Sequence, residues 1–166
     1  MAYIAVVGPG DGASPQNRRD AYEVGRLLAE RAAVVLTGGL GGVMEAAAHG
    51  CADGHGTCIG LLPGTERTDG NRHLSLALPT GLGELRNGLL VRGADGVVAI
   101  GGSWGTLSEV ALAKRAGLSV VSLGGWSVAD ADGRPVPLDV AQSPAAAVDQ
   151  VLAEVAARAG KRSDEG

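Results

Sequence analysis

Gly96-Val97-Val98-Ala99-Ile100 runs straight into Gly101-Gly102-Ser103-Trp104-Gly105-Thr106-Leu107-Ser108-Glu109, and this junction decides the fold. A short Val/Ile-rich run that stops at paired glycines reads as a strand buried on both faces, followed by a tight turn. The segment beyond it has helix-forming residues, and the pattern predicts a helix starting at about Thr106.

The same grammar recurs along the chain. Tyr3–Val7 ends at Gly8-Pro9-Gly10, Ala33–Leu36 at Thr37-Gly38-Gly39, Thr57–Leu62 at Pro63-Gly64, and Ser119–Leu123 at Gly124-Gly125. Leu74–Leu78 is a candidate further strand. Between the runs lie helix candidates. Ser14-Pro15 is a helix cap followed by proline at the first helical position, and Arg18–Arg31 then puts Ala21, Val24 and Leu28 on one face. Val43–Cys51, Glu84–Arg92, Thr106–Ala116 and Ala145–Ala159 complete the set. Alternating strands and helices predict an α/β architecture: a single Rossmann-like domain over residues 1–159, with a parallel sheet of about six or seven strands and helices on both faces. Gly124–Pro144 reads as irregular loop, and Gly160–Gly166 as a flexible tail.

Composition narrows the function. The 166 residues carry 14 Lys plus Arg against 18 Asp plus Glu, a formal charge of −4. That balance argues against a protein that grips nucleic acid by its phosphates, which needs clustered cations. Uncharged stretches such as Ala116–Ala129 fall well short of the roughly 20 residues of a spanning helix. Met1-Ala2-Tyr3-Ile4 has no basic leader region, and two cysteines make no disulfide framework, so a cytoplasmic protein is expected. The 28 glycines, with no Phe at all, point to tight turns and close backbone approaches.

In a parallel sheet, ligands bind beyond the carboxyl ends of the strands, where every glycine cluster falls. At Gly101–Thr106 the free amides of a helix start and its positive dipole end suit a phosphate. Glu109, in the first helical turn on that reading, faces the same mouth. Thr106-x-x-Glu109 also spells a capping box, so capping and catalysis both stay open for Glu109. Thr37–Glu45 offers a second set of donors at Gly38 and Gly39, with Met44 beside them as a wall for a base or as ordinary packing. Arg86 and Asn87 follow Thr80-Gly81-Leu82-Gly83; arginine suits forked recognition of phosphate or ribose oxygens, though a solvated helix face would look the same.

Other chemistries fail on the residues. Gly8-x-Gly10-x-x-Ala13 superficially matches a dinucleotide fingerprint, but the second strand ends in Thr37-Gly38-Gly39 where an acid should bind ribose. There is no P-loop lysine and no nucleophile elbow. His49, Cys51, His55 and Cys58 match no standard zinc spacing, so no metal site is expected. Lys114 and Lys161 are the only lysines, which leaves little for a Schiff-base enzyme.

As a set, Thr37–Glu45, Leu62-Pro63-Gly64, Thr80–Gly83 with Arg86-Asn87, and Gly101–Glu109 resemble the Lonely Guy and molybdenum-cofactor-carrier superfamily, over roughly Tyr3 to Trp126. Members are Rossmann-like, usually dimers, and often mislabelled as lysine decarboxylases. The resemblance implies either of two functions. One is hydrolysis of the N-glycosidic bond of a nucleoside 5′-monophosphate, giving base and ribose 5-phosphate. The other is binding without turnover of a phosphorylated ligand, a nucleotide or a molybdopterin-type cofactor. Gly101, Gly102, Gly105, Thr106 and Glu109 match the Lonely Guy signature, and Arg86 takes its upstream Arg position. Ile100 stands where that signature has Pro, and Asn87 where it has Lys, so the chain looks closer to the carrier branch. On the enzyme reading Glu109 stabilises an oxocarbenium-like state while Arg86 fixes phosphate or ribose. The loop from Gly101 to Thr106, including Ser103, then holds the phosphate. Neither reading requires a cofactor, and both imply a homodimer or higher homo-oligomer.

Overall fold

The computed structural model describes residues 1–164. Seven strands form one fully parallel sheet: β1 (Tyr3–Val7), β2 (Val34–Thr37), β3 (Thr57–Leu62), β4 (Leu76–Pro79), β5 (Gly96–Ile100), β6 (Ser119–Leu123) and β7 (Asp139–Ala141), in the order β4-β3-β2-β1-β5-β6-β7. The chain winds outward from β1 to β4, then returns to pair β5 with the other side of β1, in register Ile4 with Gly96 and Val7 with Ala99. The order therefore reverses between β1 and β5, the place beyond whose carboxyl ends ligands bind in open parallel sheets.

Alternation within the strands splits the core in two. Ile4, Val6, Val35, Val98, Ile100 and Val121 face α1 (Pro15–Glu30), α2 (Val43–Asp53) and α5 (Pro144–Asp164). Ala5, Val7, Leu36, Val97, Ala99 and Val120 face α3 (Arg86–Arg92) and α4 (Trp104–Arg115). Helices thus cover both faces, as the sequence predicts, because every central strand must bury both of its sides. The first helix is fixed by a reciprocal cap: the Ser14 hydroxyl accepts from the Asn17 amide at 3.0 Å, and the Asn17 side chain accepts from the Ser14 amide at 3.2 Å.

Several boundaries differ from the sequence reading, each for a local reason. β4 starts at Leu76 and not Leu74, because the Ser75 amide donates to the Cys58 carbonyl and the Ser75 hydroxyl accepts from the Cys58 amide before the ladder begins. The segment expected to be helical from Glu84 opens as a 3-10 turn over Gly83–Leu85 and becomes α-helix at Arg86. Gly124–Pro144, expected to be all loop, contains β7 at the sheet edge and an antiparallel bridge between Ala129 and Pro135. α5 continues through Gly160 to Asp164, where a tail was expected; residues 165 and 166 lie outside the described residues.

The fourth helix carries the most consequential shift. α4 begins at Trp104, with Ser103 as its cap: the Ser103 hydroxyl accepts from the Thr106 amide at 3.1 Å. Thr106 is therefore a third-position residue and not the cap, so the expected Thr106-x-x-Glu109 capping box does not form. Glu109 sits in the second turn, freed from any capping duty.

Candidate functional site

Three loops meet at the carboxyl edge of the sheet. The β1 loop touches the β5 end so closely that a Cβ on Gly8 would stand 2.5 Å from the Ile100 carbonyl oxygen. The Val43 amide, first in α2, donates to the Pro9 carbonyl at 3.0 Å and ties the β2 loop to the β1 loop. Gly101 turns at φ +65° beside the Asn17 amide group, which brings the start of α1 to the same place.

Arg86 is the site's most unusual residue. At the first position of α3 it is only 7% exposed, and its Nε and Nη1 atoms have no hydrogen-bond partner. The guanidinium lies directly over Gly38: a Cβ there would stand 2.0 Å from Nη1, 2.6 Å from Nη2 and 2.6 Å from the Met44 sulfur. Gly38 is glycine because the arginine head occupies the space a side chain would need. Burial pushes the Arg86 pKa down, and the Glu109 carboxylate nearby pulls it back up.

Glu109 approaches from α4 and is likewise 7% exposed. Burial raises its carboxyl from an ordinary 4.5 to about 7, against the opposing pull of Arg86. The two groups feel each other without forming a direct ion pair, so each keeps capacity for a third party. A cation and a near-neutral acid at one crevice can bind an anion and hold or release a proton beside it.

The remaining predicted residues divide by what their polar groups already do. The amide of Gly39 donates to the Thr37 hydroxyl at 3.1 Å, and its carbonyl accepts from the Asn71 side chain at 3.2 Å, so Gly39 shapes the loop and its amide is not on offer. The Thr106 amide is committed to Ser103, and the two hydroxyls lie 2.8 Å apart. Trp104 and Gly105, at the first two helical positions, have amides with no acceptor four residues back. Gly105 has open space around it, with only the Ser103 hydroxyl within 4 Å of a would-be Cβ. Asn87 turns its amide to α4, donating to the Ser108 hydroxyl at 3.4 Å, and so braces α3 against α4 beside Arg86. Glu109, Arg86, Gly38 and Met44 thus come together, whereas Gly39 and Asn87 support them from behind.

The sequence reading missed Trp126. Following Gly124-Gly125 at the end of β6, its five-membered ring fills the place of a side chain on Gly102, with Cδ1 2.2 Å from where a Cβ would stand. It meets Trp104 edge to face, ring centres 5.2 Å apart at 82°. The signal was present: these are the only two tryptophans in the chain, each placed just after a glycine cluster.

Among the described residues no group of three or more His, Cys, Asp or Glu is arranged to hold a metal ion. No described helix is long and apolar enough to cross a membrane. Cys51 and Cys58 are both buried free thiols.

Comparison with known proteins agrees with this geometry. The molybdenum cofactor binding protein of Rippkaea orientalis superposes with a TM-score of 0.83 at 34% identity, over 92% of this chain and 96% of that one. The molybdenum cofactor carrier protein of Chlamydomonas reinhardtii gives 0.80 at 31% identity, over 94% of this chain and 99% of that one. An uncharacterized protein of Archaeoglobus fulgidus is 38% identical over 123 residues, 74% of this chain and 80% of its own length. The model of the SLOG cluster4 family matches residues 1–151, and the chain belongs to that family.

Proposed function

We propose that this chain is a binding or carrier protein for a phosphorylated small molecule that bears a fused heteroaromatic ring, of the molybdenum cofactor type. The observation that carries the proposal is Arg86, held away from water with two nitrogens unpartnered. A buried guanidinium left without acceptors is unfavourable in the free protein and is relieved when an anion arrives. The uncommitted amides at the start of α4 supply neutral donors for the same anion. Solved relatives described as binding or carrying molybdenum cofactor, at 31–34% identity, support this ligand class. In this reading Gly101, Gly102, Ser103, Gly105 and Thr106 surround the phosphate, Arg86 neutralises it, and Gly38 and Met44 form the opposite wall, with Gly39 shaping the loop behind them. The ligand is cargo, and no resident cofactor is required.

The test is retention of a pterin. Protein incubated with molybdenum cofactor released from a donor enzyme, then desalted, should keep pterin fluorescence after oxidation, and Arg86→Met should lose it. Absence of pterin from the wild-type protein would sink the proposal.

Glu109 favours a second reading, hydrolysis of a nucleoside 5′-monophosphate at the N-glycosidic bond. With its carboxyl at about 7, both protonation states are populated near neutrality. Its protonated form can give a proton to the departing base, and its ionised form can stabilise an oxocarbenium-like ribosyl centre. Free base released from a nucleoside monophosphate panel by wild type but not by Glu109→Gln would support this reading; no release from any would remove it.

We further propose a homodimer through the α3–α4 side. Leu85 is 79% exposed, Leu89 on α3 is 47% exposed and Leu112 on α4 is 39% exposed, and such apolar surface is covered in a stable assembly. Light scattering should give twice the chain mass, and Leu85→Glu with Leu89→Glu should halve it.

A further inference from the structure

This chain has four aromatic residues, two Trp and two Tyr, and no Phe. Both tryptophans stand at the glycine loop of β5. Trp126 sits there 44% exposed, its pyrrole edge seated on Gly102, and with Ala99, Val110 and Leu138 it lines a small pocket of about 20 Å³. Trp104 leans on it edge to face yet remains 79% exposed, although it is the first residue of α4 and directly follows the capping Ser103. A large π surface braced along one edge by a second ring and left in water suits a flat partner.

We infer that Trp104, buttressed by Trp126, is the stacking platform for the heteroaromatic ring of the phosphorylated ligand, and so sets preference for ringed over ringless phosphates. The inference rests on the anion site proposed above, because the amides that would hold the phosphate are those of Trp104 and Gly105 themselves. A phosphate at the start of α4 leaves the rest of the ligand within a few bonds of the exposed indole. Stacking of a base on an aromatic side chain discriminates by ring and not by sequence of polar contacts, so a nucleobase and a pterin both fit.

Calorimetric titration with AMP, neopterin monophosphate and ribose 5-phosphate separates the possibilities. Wild type should bind one or both ringed compounds more tightly than ribose 5-phosphate. Trp104→Ala should weaken those ringed compounds about tenfold and leave ribose 5-phosphate unchanged, and Trp104→Tyr should restore most of the difference. The ringed compound that responds identifies the ring. Equal weakening of all three, no change in any, or a Trp104→Ala effect that tracks a change in oligomeric mass would overturn the platform while leaving the anion site standing. If wild type binds none of the three, the anion site itself is wrong and the platform falls with it.

Discussion

The two edges of the sheet are built oppositely. At the amino ends an open groove of about 720 Å³ runs past Ala2, Asp95, Leu118 and Leu152 and is bordered by Arg92 and Arg158. Its charges reach water or already have work: Asp95 accepts the Tyr3 amide at 2.8 Å. At the carboxyl ends Arg86 and Glu109 are buried near each other, and Arg86 Nε and Nη1 have no hydrogen-bond partner. Size alone would choose the amino edge, whereas the function proposed above uses the carboxyl edge. Polar groups deprived of both water and partners mark the place where a ligand completes the structure.

The most severe way to break this contrast is Arg86→Met. Ligand affinity should fall at least about thirtyfold, since losing one partner of a buried charged contact costs about 2–5 kcal/mol. Undiminished binding would make Arg86 an ordinary packing defect.

Glu109 provides a pH signature at the carboxyl edge. Its folded pKa of about 7 lies above the ordinary 4.5, so the folded state holds the proton more tightly than the unfolded chain. The resulting stability is fully present below about 4.5 and is lost as pH rises through about 7, on the order of 3 kcal/mol in all. Urea midpoints at pH 5 and pH 8 should therefore converge in Glu109→Gln relative to wild type. A pH profile identical in the two proteins would show the carboxyl to be ordinary.

Gly38→Ala tests the close approach beneath Arg86. The added Cβ must displace the guanidinium, which should cost about 1–3 kcal/mol of stability and weaken the ligand. Gly102→Ala does the same to Trp126, whose 44% exposed ring must leave its seat on Gly102, with a similar loss of stability. Last, Arg158→Ala in the amino-edge groove should stay within about 0.5 kcal/mol of wild type in stability and leave ligand affinity untouched.

Much of the fold is legible in the sequence because the central strands are buried on both sides. Tyr3–Val7, Thr57–Leu62, Gly96–Ile100 and Ser119–Leu123 are apolar runs with glycine at the exit, and β1, β3, β5 and β6 occupy those same residues. β7 hides because an edge strand of three residues needs little apolar character and lies among Gly, Asp and Pro. The start of α4 is displaced because Ser103 and Thr106 are both good caps, and only the backbone decides between them. At the site, spacing marks Gly38, Arg86 and Glu109 separately, but not that Arg86 folds over Gly38. That contact joins β2 to α3 across some fifty residues of chain, and no local pattern encodes it. Trp126 is missed for the same reason.

The central position of β1 also shapes how the protein is made. Its first five-residue strand leaves the ribosome early and can pair with β2 soon afterwards, but its other neighbour, β5, begins only at Gly96. At about 5–20 residues per second, that is a wait of roughly 5–20 s with one edge of the central strand unpaired. Throughout that interval the nascent chain carries an apolar ribbon open to wrong partners. Slowing translation between Thr37 and Gly96 should therefore increase aggregation more than slowing it after Leu123.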